Sequence, residues 1–309
     1  MLNEFKRIIV IGGGGFIGSH VCEELLQMGK EVIVFDNLST GKEENVPKGS
    51  KFIKGDIKDL EQLKGVMNDN DIDLVFHEAA NISTPRSVEE PLYDLRENVL
   101  GTFNALYAAL KSNVKRFIYA SSAAVYGEPK YVPLDEKHPT EPISPYGVSK
   151  LAGERYCVAF YKTYGLKTVS LRFFNVYGPG ENLKTTLDEV ILYLNKMLSN
   201  RPITIFGDGN QTRDFVYVKD IVRAQLLAAE KDEAISEVIN VGTGIETSIN
   251  ELVKTIEEVT GHKAIINHAP LRNGEIKRSF GDISKAQKIL GYKPKFRLKE
   301  GIQELMNSL

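Results

Sequence analysis

A phenol and an ammonium stand four residues apart in the segment SPYGVSK, Ser144 to Lys150. Ser144 suits an N-cap and Pro145 a first helical position, so the spacing predicts a helix starting here, with Tyr146 and Lys150 on one face. An ammonium one turn below a phenol stabilises the phenolate and lowers its pKa toward the range of a working general base. The chemistry on offer is proton exchange with a bound alcohol. Tyrosine and lysine are also ordinary helix residues, so the pair gains meaning only from what surrounds it.

At 309 residues the chain has room for one large α/β unit and a smaller appended one. Its formal net charge of −2, with no block of like charges, argues against nucleic acid or a membrane surface as a main partner. The two cysteines, Cys22 and Cys157, fall in separate predicted helices without a C-x-x-C or Cys/His cluster, which argues against a disulfide framework and a metal site. The apolar run near the start stops at glycines and is too short for a signal-peptide core or a membrane span. A cytoplasmic protein with reduced thiols is expected.

The pair must be positioned by something, and the first half of the chain supplies alternating strands and helices. Lys6 to Ile11 reads as a parallel strand buried on both faces. It runs into GGGGFIG, Gly12 to Gly18, and then a helix from about Phe16 to Met28. Gly12, Gly15 and Gly18 let backbone amides and the start of that helix, at Phe16 and Ile17, approach a pyrophosphate. The next strand, Glu31 to Phe35, ends in Asp36 and Asn37, where a carboxylate can bond ribose hydroxyls and would repel a 2′-phosphate. NAD is therefore expected rather than NADP.

A further strand, Lys51 to Lys54, leads to Asp56 and Ile57, suited to an adenine amine and ring face. Asp73 to His77 leads to HEAA, where Ala79 and Ala80 allow a cofactor close over the backbone. His77 reads as a satisfied core histidine. One long helical pattern, about Val88 to Lys111, contains Asn98 and precedes a strand at Lys115 to Ala120. This alternation predicts a Rossmann-like, doubly wound parallel sheet with ligands gathered at the C-terminal strand ends. Residues 1–174, with about 215–241 returning, should form the NAD-binding unit. A smaller, mostly helical substrate unit should take 175–309, chiefly 175–214 and 242–309.

SSAAVYG, Ser121 to Gly127, lies at a strand end 24 residues before Tyr146, counted from Ser122. With it stand DNLSTG at Asp36 to Gly41, GDI at Gly55 to Ile57, ENVLGT at Glu97 to Thr102, RFFNVYGP at Arg172 to Pro179 and FGDGNQTRDFVYVKD at Phe206 to Asp220. Together these segments resemble the extended short-chain dehydrogenase/reductases, and among them the NAD-dependent nucleotide-sugar epimerases close to the UDP-glucose 4-epimerases. The resemblance runs almost end to end.

It implies that Tyr146 is the base, Lys150 its electrostatic partner and a ligand of the nicotinamide ribose, and Ser122 the second hydroxyl at the sugar. It adds Ser39, Thr40 and Gly41 to the cofactor loop, makes Asn98 a polar support near the cofactor and places Asn175 beside the substrate. Arg213 and Arg272 would hold the diphosphate, with Glu275 the acid near the second arginine. Ser279 aligns with a position whose size decides whether an N-acetyl group is admitted. The partner implied is a UDP-sugar, in a homodimer. The stripe Val99, Phe103 and Leu106 supports the dimer only weakly, because such a stripe is more often core.

The implied reaction is redox-neutral C4 epimerisation of a UDP-hexose through a 4-keto sugar. Dehydratases of this resemblance carry an Asp-Glu pair directly after the serine or threonine. Here Ala123 and Ala124 stand there, and methyl groups cannot move the protons that elimination of water requires. Epimerisation of a UDP-uronic acid or another nucleotide sugar, or a silent NAD-binding protein on the same fold, are the alternatives. The GENLKTTLDEVI stretch after Pro179 departs from the pattern of many bacterial relatives.

Overall fold

A computed structural model describes residues 2–181, 189–271 and 276–308. The first half runs β1 (Arg7–Ile11), α1 (Phe16–Gln27), β2 (Glu31–Asp36), β3 (Lys51–Lys54), α2 (Leu60–Asp69), β4 (Leu74–His77), α3 (Thr84–Glu89), α4 (Pro91–Asp94), a π-helical stretch at Leu95–Leu100, α5 (Gly101–Lys111) and β5 (Arg116–Ser122). The second runs α6 (Pro145–Tyr164), β6 (Thr168–Phe173), β7 (Asn175–Tyr177), α7 (Glu189–Leu198), β8 (Ile203–Phe206), β9 (Thr212–Arg213), β10 (Phe215–Tyr217), α8 (Val218–Glu230) and β11 (Val238–Val241). It closes with β12 (Thr247–Ser248), α9 (Ile249–Thr260), β13 (Ile266–Ala269), α10 (Ser284–Leu290) and α11 (Leu298–Asn307).

Seven strands form one parallel sheet in the order β11-β6-β5-β4-β1-β2-β3. Chain order reverses between β1 and β4, and a crevice opens beyond the strand ends at such a reversal. Strand alternation sends Ile8 and Val10 to one face and Ile9 and Ile11 to the other. The first face packs under α1, α8 and α10, the second under α2, α5 and α6. A third apolar cluster joins α7, α9 and α11 to β8 and β10.

The single long helix expected over 88–111 is broken. Pro91 has no amide hydrogen and disfavours helical geometry at the residue before it, and Glu90 there sits at φ −127° and ψ 64°. Beyond it the π-helical stretch carries Asn98, whose Oδ1 accepts from the Asn81 amide at 2.7 Å while its Nδ2 donates back to the Asn81 carbonyl at 3.0 Å. The distortion thus presents one side chain to the loop after β4. The short parallel pair β8 and β13 has no counterpart in the sequence reading. His77 is buried with Nε2 3.0 Å from Thr102 Oγ1, as a core histidine should be, although its Nδ1 has no partner among the described residues.

Candidate active site

The helix carrying the pair starts as its sequence dictates: Ser144 accepts from the Gly147 amide at 3.1 Å, and Pro145 opens α6. Tyr146 lines the same cleft as Ser122, near enough for that hydroxyl to lower the phenol's pKa, and Ser122 Oγ is fixed by the Ala124 amide at 3.2 Å. Lys150 is buried, and its Nζ donates to the Ala120 carbonyl at 2.8 Å. The end of β5 therefore holds both the second hydroxyl and the lysine that sits a turn below the phenol.

The electrostatics differ from the sequence expectation at one point. Burial raises the Tyr146 phenol above its ordinary range, the Ser122 hydroxyl opposes this, and Asp94 adds to it. The lysine does not lower the phenol because its Nζ is turned to Ala120 and lies 6.0 Å from the ring centre. Burial in turn pulls Lys150 down to about 8, against the pull of Glu78, Asp94 and Glu154. A buried base at this position needs a further positive charge to ionise near neutrality.

Three clefts run into one another along the strand ends. The first is lined by Gly12, Gly15, Asp36, Asn37, Ser39, Thr40, Ile57, Ala79 and Ala80, all anticipated from the sequence. It also takes Glu78, Asn81, Ile82, Tyr93 and Glu97, which were not. The second holds Phe16, Ile17, Ser122, Tyr146, Lys150 and Asn175 and shares Glu78 and Ile82 with the first. The third adds Ala123, Ala124, Arg213, Ile276 and Ser279 and shares Ser122, Tyr146 and Asn175 with the second. Asn98 lies behind the first cleft rather than in it, clasping Asn81. Arg272 and Glu275 lie outside the described residues.

The first two clefts fit a dinucleotide. Gly12 is at φ +86°, and a Cβ there would lie 2.5 Å from the Ala79 amide nitrogen, so the loop lies directly on the backbone after β4. Gly15 caps α1 with no side-chain bond to its first amides, which leaves those donors and the helix dipole for an anion. Asp36 Oδ2 accepts from Gly14 at 2.9 Å and Oδ1 from Leu38 at 2.7 Å. Each oxygen keeps acceptor capacity for a ribose hydroxyl. Asp56 is partly taken: burial would raise it, yet Lys58 at 3.0 Å and the Lys58 amide hold it below the usual carboxylate range. Asn37 Nδ2 reaches it at 3.4 Å.

On the other side, Arg213 Nη1 donates to the Thr212 and Ile276 carbonyls, at 2.8 Å each. The Ser279 amide donates to the Thr212 carbonyl at 3.1 Å, so the segment carrying Ser279 runs alongside β9 and its Arg213. The buried Asp214 carboxylate fixes this corner by accepting from Thr243 N at 2.8 Å, Thr243 Oγ1 at 2.5 Å and Gly244 N at 2.9 Å. Sequence reasoning passed over Asp214. Its signal was the acid directly after the arginine, which reads as a surface charge until its partners arrive from distant parts of the chain.

The sequence model of the NAD dependent epimerase/dehydratase family matches residues 8–242. The chain belongs to this NAD-dependent epimerase/dehydratase family. It is 44% identical over 301 residues to a putative UDP-glucose 4-epimerase of Methanocaldococcus jannaschii, covering 97% of each chain. A UDP-glucose 4-epimerase from Thermotoga maritima, solved with UDP-glucose, matches at TM-score 0.95 and 41% identity over 98% of both chains. A UDP-N-acetylglucosamine 4-epimerase from Methanobrevibacter ruminantium, solved with UDP-N-acetylmuramic acid, matches at TM-score 0.92 and 37% identity, again over 98% of both. The glycine loop, Asp36, and the Tyr146 and Lys150 pair all fall inside the stretch matched by this NAD-dependent family. Among the described residues no helix is long and apolar enough to cross a membrane, and no group of three or more His, Cys, Asp or Glu side chains could hold a metal.

Proposed function

We propose that this family member epimerises UDP-hexoses at C4, interconverting UDP-glucose and UDP-galactose with a tightly held NAD and no net oxidation. The observation that carries the reading is the end of β5. Ser122 shares the cleft with the Tyr146 phenol and is followed by Ala123 and Ala124 in the cleft wall, so the two positions next to the hydroxyl carry methyl groups where loss of water would need acids.

NAD, when bound, supplies the acceptor and later donor of the C4 hydrogen, and its oxidised ring adds the positive charge that favours phenolate. Gly12, Gly15 and the start of α1 would take its pyrophosphate, and Asp36 an adenosine ribose hydroxyl. Tyr146 accepts the 4-hydroxyl proton, with Ser122 orienting that oxygen, and the sugar becomes a 4-keto sugar. Lys150 is tied to β5 through the Ala120 carbonyl and would hold the nicotinamide ribose. Arg213 meets the diphosphate with a planar donor fork suited to it. The nucleotide stays anchored while the keto-sugar turns, and Tyr146 returns its proton to the 4-oxygen after the opposite face is reduced.

Residues 1–174 with 215–241 would hold the cofactor, and 175–214 with 242–309 the sugar nucleotide. Ser279 is small and lines the sugar cleft, which favours a second reading: N-acetylated UDP-hexoses are also substrates. A homodimer in the cytoplasm completes the proposal. Support for the dimer lies less in Val99, Phe103 and Leu106, of which Leu106 is buried in the core, than in exposed Val88, Leu92, Leu95 and Val148. Incubation with UDP-galactose and catalytic NAD tests the activity. UDP-glucose without accumulating NADH is expected; NADH in step with product would mean a dehydrogenase, and inertness a binding protein. Parallel turnover of UDP-GalNAc checks Ser279, and light scattering giving a monomer mass would remove the dimer.

A further inference from the structure

Three carboxylates, Glu78, Asp94 and Glu154, surround Lys150, and their charges are met in different ways. Glu154 is fully buried, pairs with Arg172 through two bonds of 2.8 Å and accepts from the Ser121 hydroxyl at 2.6 Å. Glu78 follows β4, faces Lys150 of α6, Gln225 of α8 and Cys22 of α1, and lines both halves of the cofactor cleft. Its Oε1 is sealed from solvent without a hydrogen-bond partner among the described residues, as are both polar side-chain atoms of Gln225.

Lys150 does not neutralise Glu78. Its Nζ is bonded to Ala120, and it also faces Asp94, a buried carboxylate bonded to Asn81 at 2.8 Å and Asn98 at 3.0 Å. With Glu154 matched by Arg172, one ammonium stands against two carboxylates, and one negative charge is left over at the cleft floor. Burial pushes the Glu78 carboxyl up to about 7, with Lys150 and then the Gln225 side chain pulling the other way. A carboxylate oxygen sealed from solvent and left unbonded is costly, so the arrangement makes sense when a cation arrives with the ligand.

We propose that Glu78 is the counter-charge of the oxidised nicotinamide ring and biases the bound cofactor toward the oxidised form from which the reaction starts. The inference rests on the epimerase reading for one step: the ring must lie within transfer distance of the carbon whose hydroxyl Tyr146 holds, in the half of the cleft that Glu78 and Tyr146 share. The oxidised ring is positive. Reduction adds a hydride and cancels that charge, after which Glu78 holds a proton more tightly and takes one from solvent.

The test is a redox titration of the holoenzyme's bound NAD, without sugar, across pH. Glu78→Gln keeps the side chain's shape and removes its charge. The variant should favour the reduced cofactor at least tenfold more than wild type, which is about 30 mV for a two-electron couple. In the Tyr146→Phe background, which removes the phenol's own titration, the enzyme with Glu78 in place should take up two protons per two electrons near and below neutral pH, and the one with Glu78→Gln one throughout. Equal potentials, or a single proton in the Tyr146→Phe enzyme with Glu78 in place, would overturn the proposal, and that proton count decides it even if the Glu78→Gln variant fails to fold or to keep NAD. A chain unable to bind NAD overturns this together with the epimerase reading, whereas unchanged potentials beside intact epimerisation overturn Glu78 alone.

Discussion

The cleft proposed to hold the cofactor, the cofactor side, and the one proposed to hold the sugar, the sugar side, are built by different means. On the cofactor side the binding surface is mostly backbone: glycines beyond β1, helix amides at α1 and alanines after β4, all on a sheet packed on both faces. On the sugar side it is side chains on short pieces of structure: Arg213 on a two-residue strand, Asn175 at the start of a three-residue one, and Ser279 on a segment bonded to β9. A backbone site tolerates no added volume, while a side-chain site can be cut back one group at a time. The first design suits a cofactor that stays, and the second a sugar nucleotide that must turn over and leave.

The largest effect should come from the backbone side. Gly12→Val adds atoms where even a Cβ would meet the Ala79 amide nitrogen at 2.5 Å, at a φ of +86° that valine strongly disfavours. The variant should purify without NAD and without activity, as measured by nucleotide release on denaturation; full NAD occupancy would break the comparison. Tyr146→Phe removes one hydroxyl at the meeting point of the two sides. It should keep NAD and lose activity by about 10²–10⁴-fold, the usual worth of a positioned acid or base.

On the sugar side, Arg213→Ala should raise KM about tenfold to a hundredfold with a smaller change in kcat, the size expected when a charged hydrogen bond is lost. A fall in bound NAD instead would put Arg213 on the wrong side of the comparison.

The last effect is absent at neutral pH and concerns stability in acid beneath the cofactor side. Burial, with Lys150 nearby, pulls the His77 ring from 6.5 to about 3. As pH falls below 6.5 the unfolded chain binds a proton that the folded chain refuses until about 3, so stability is lost across that window. The loss from this ring approaches about 1.4 kcal/mol per pH unit. Denaturant titrations should show a flatter acid limb for His77→Gln.

This division also marks what was legible in the sequence. Gly12, Gly15 and Asp36 announced themselves because backbone sites impose residue type at fixed spacing, and strand ends followed from runs such as Lys6 to Ile11, where the strand is Arg7–Ile11. Ser144, Pro145, Tyr146 and Lys150 were legible because a helix start fixes their relative places. The long helix before β5 was misread because periodicity continues across Pro91 while the backbone cannot. Asp214 and Glu78 were passed over for a common reason. Their meaning lies in which distant groups do or do not reach them, Thr243 and Gly244 for one and an absent partner for the other. The upward shift of Tyr146 likewise depends on burial and on where Lys150 Nζ points, neither of which spacing reveals.

The central claim is that the C4 hydrogen leaves the sugar and returns to the same carbon within one active site. UDP-galactose deuterated at C4 tests it directly, with the product read by mass spectrometry and NMR. The account predicts UDP-glucose carrying the deuterium at C4, with no label lost to water and no reduced cofactor building up. Loss of the label to solvent, or one equivalent of reduced cofactor released per product, would contradict it.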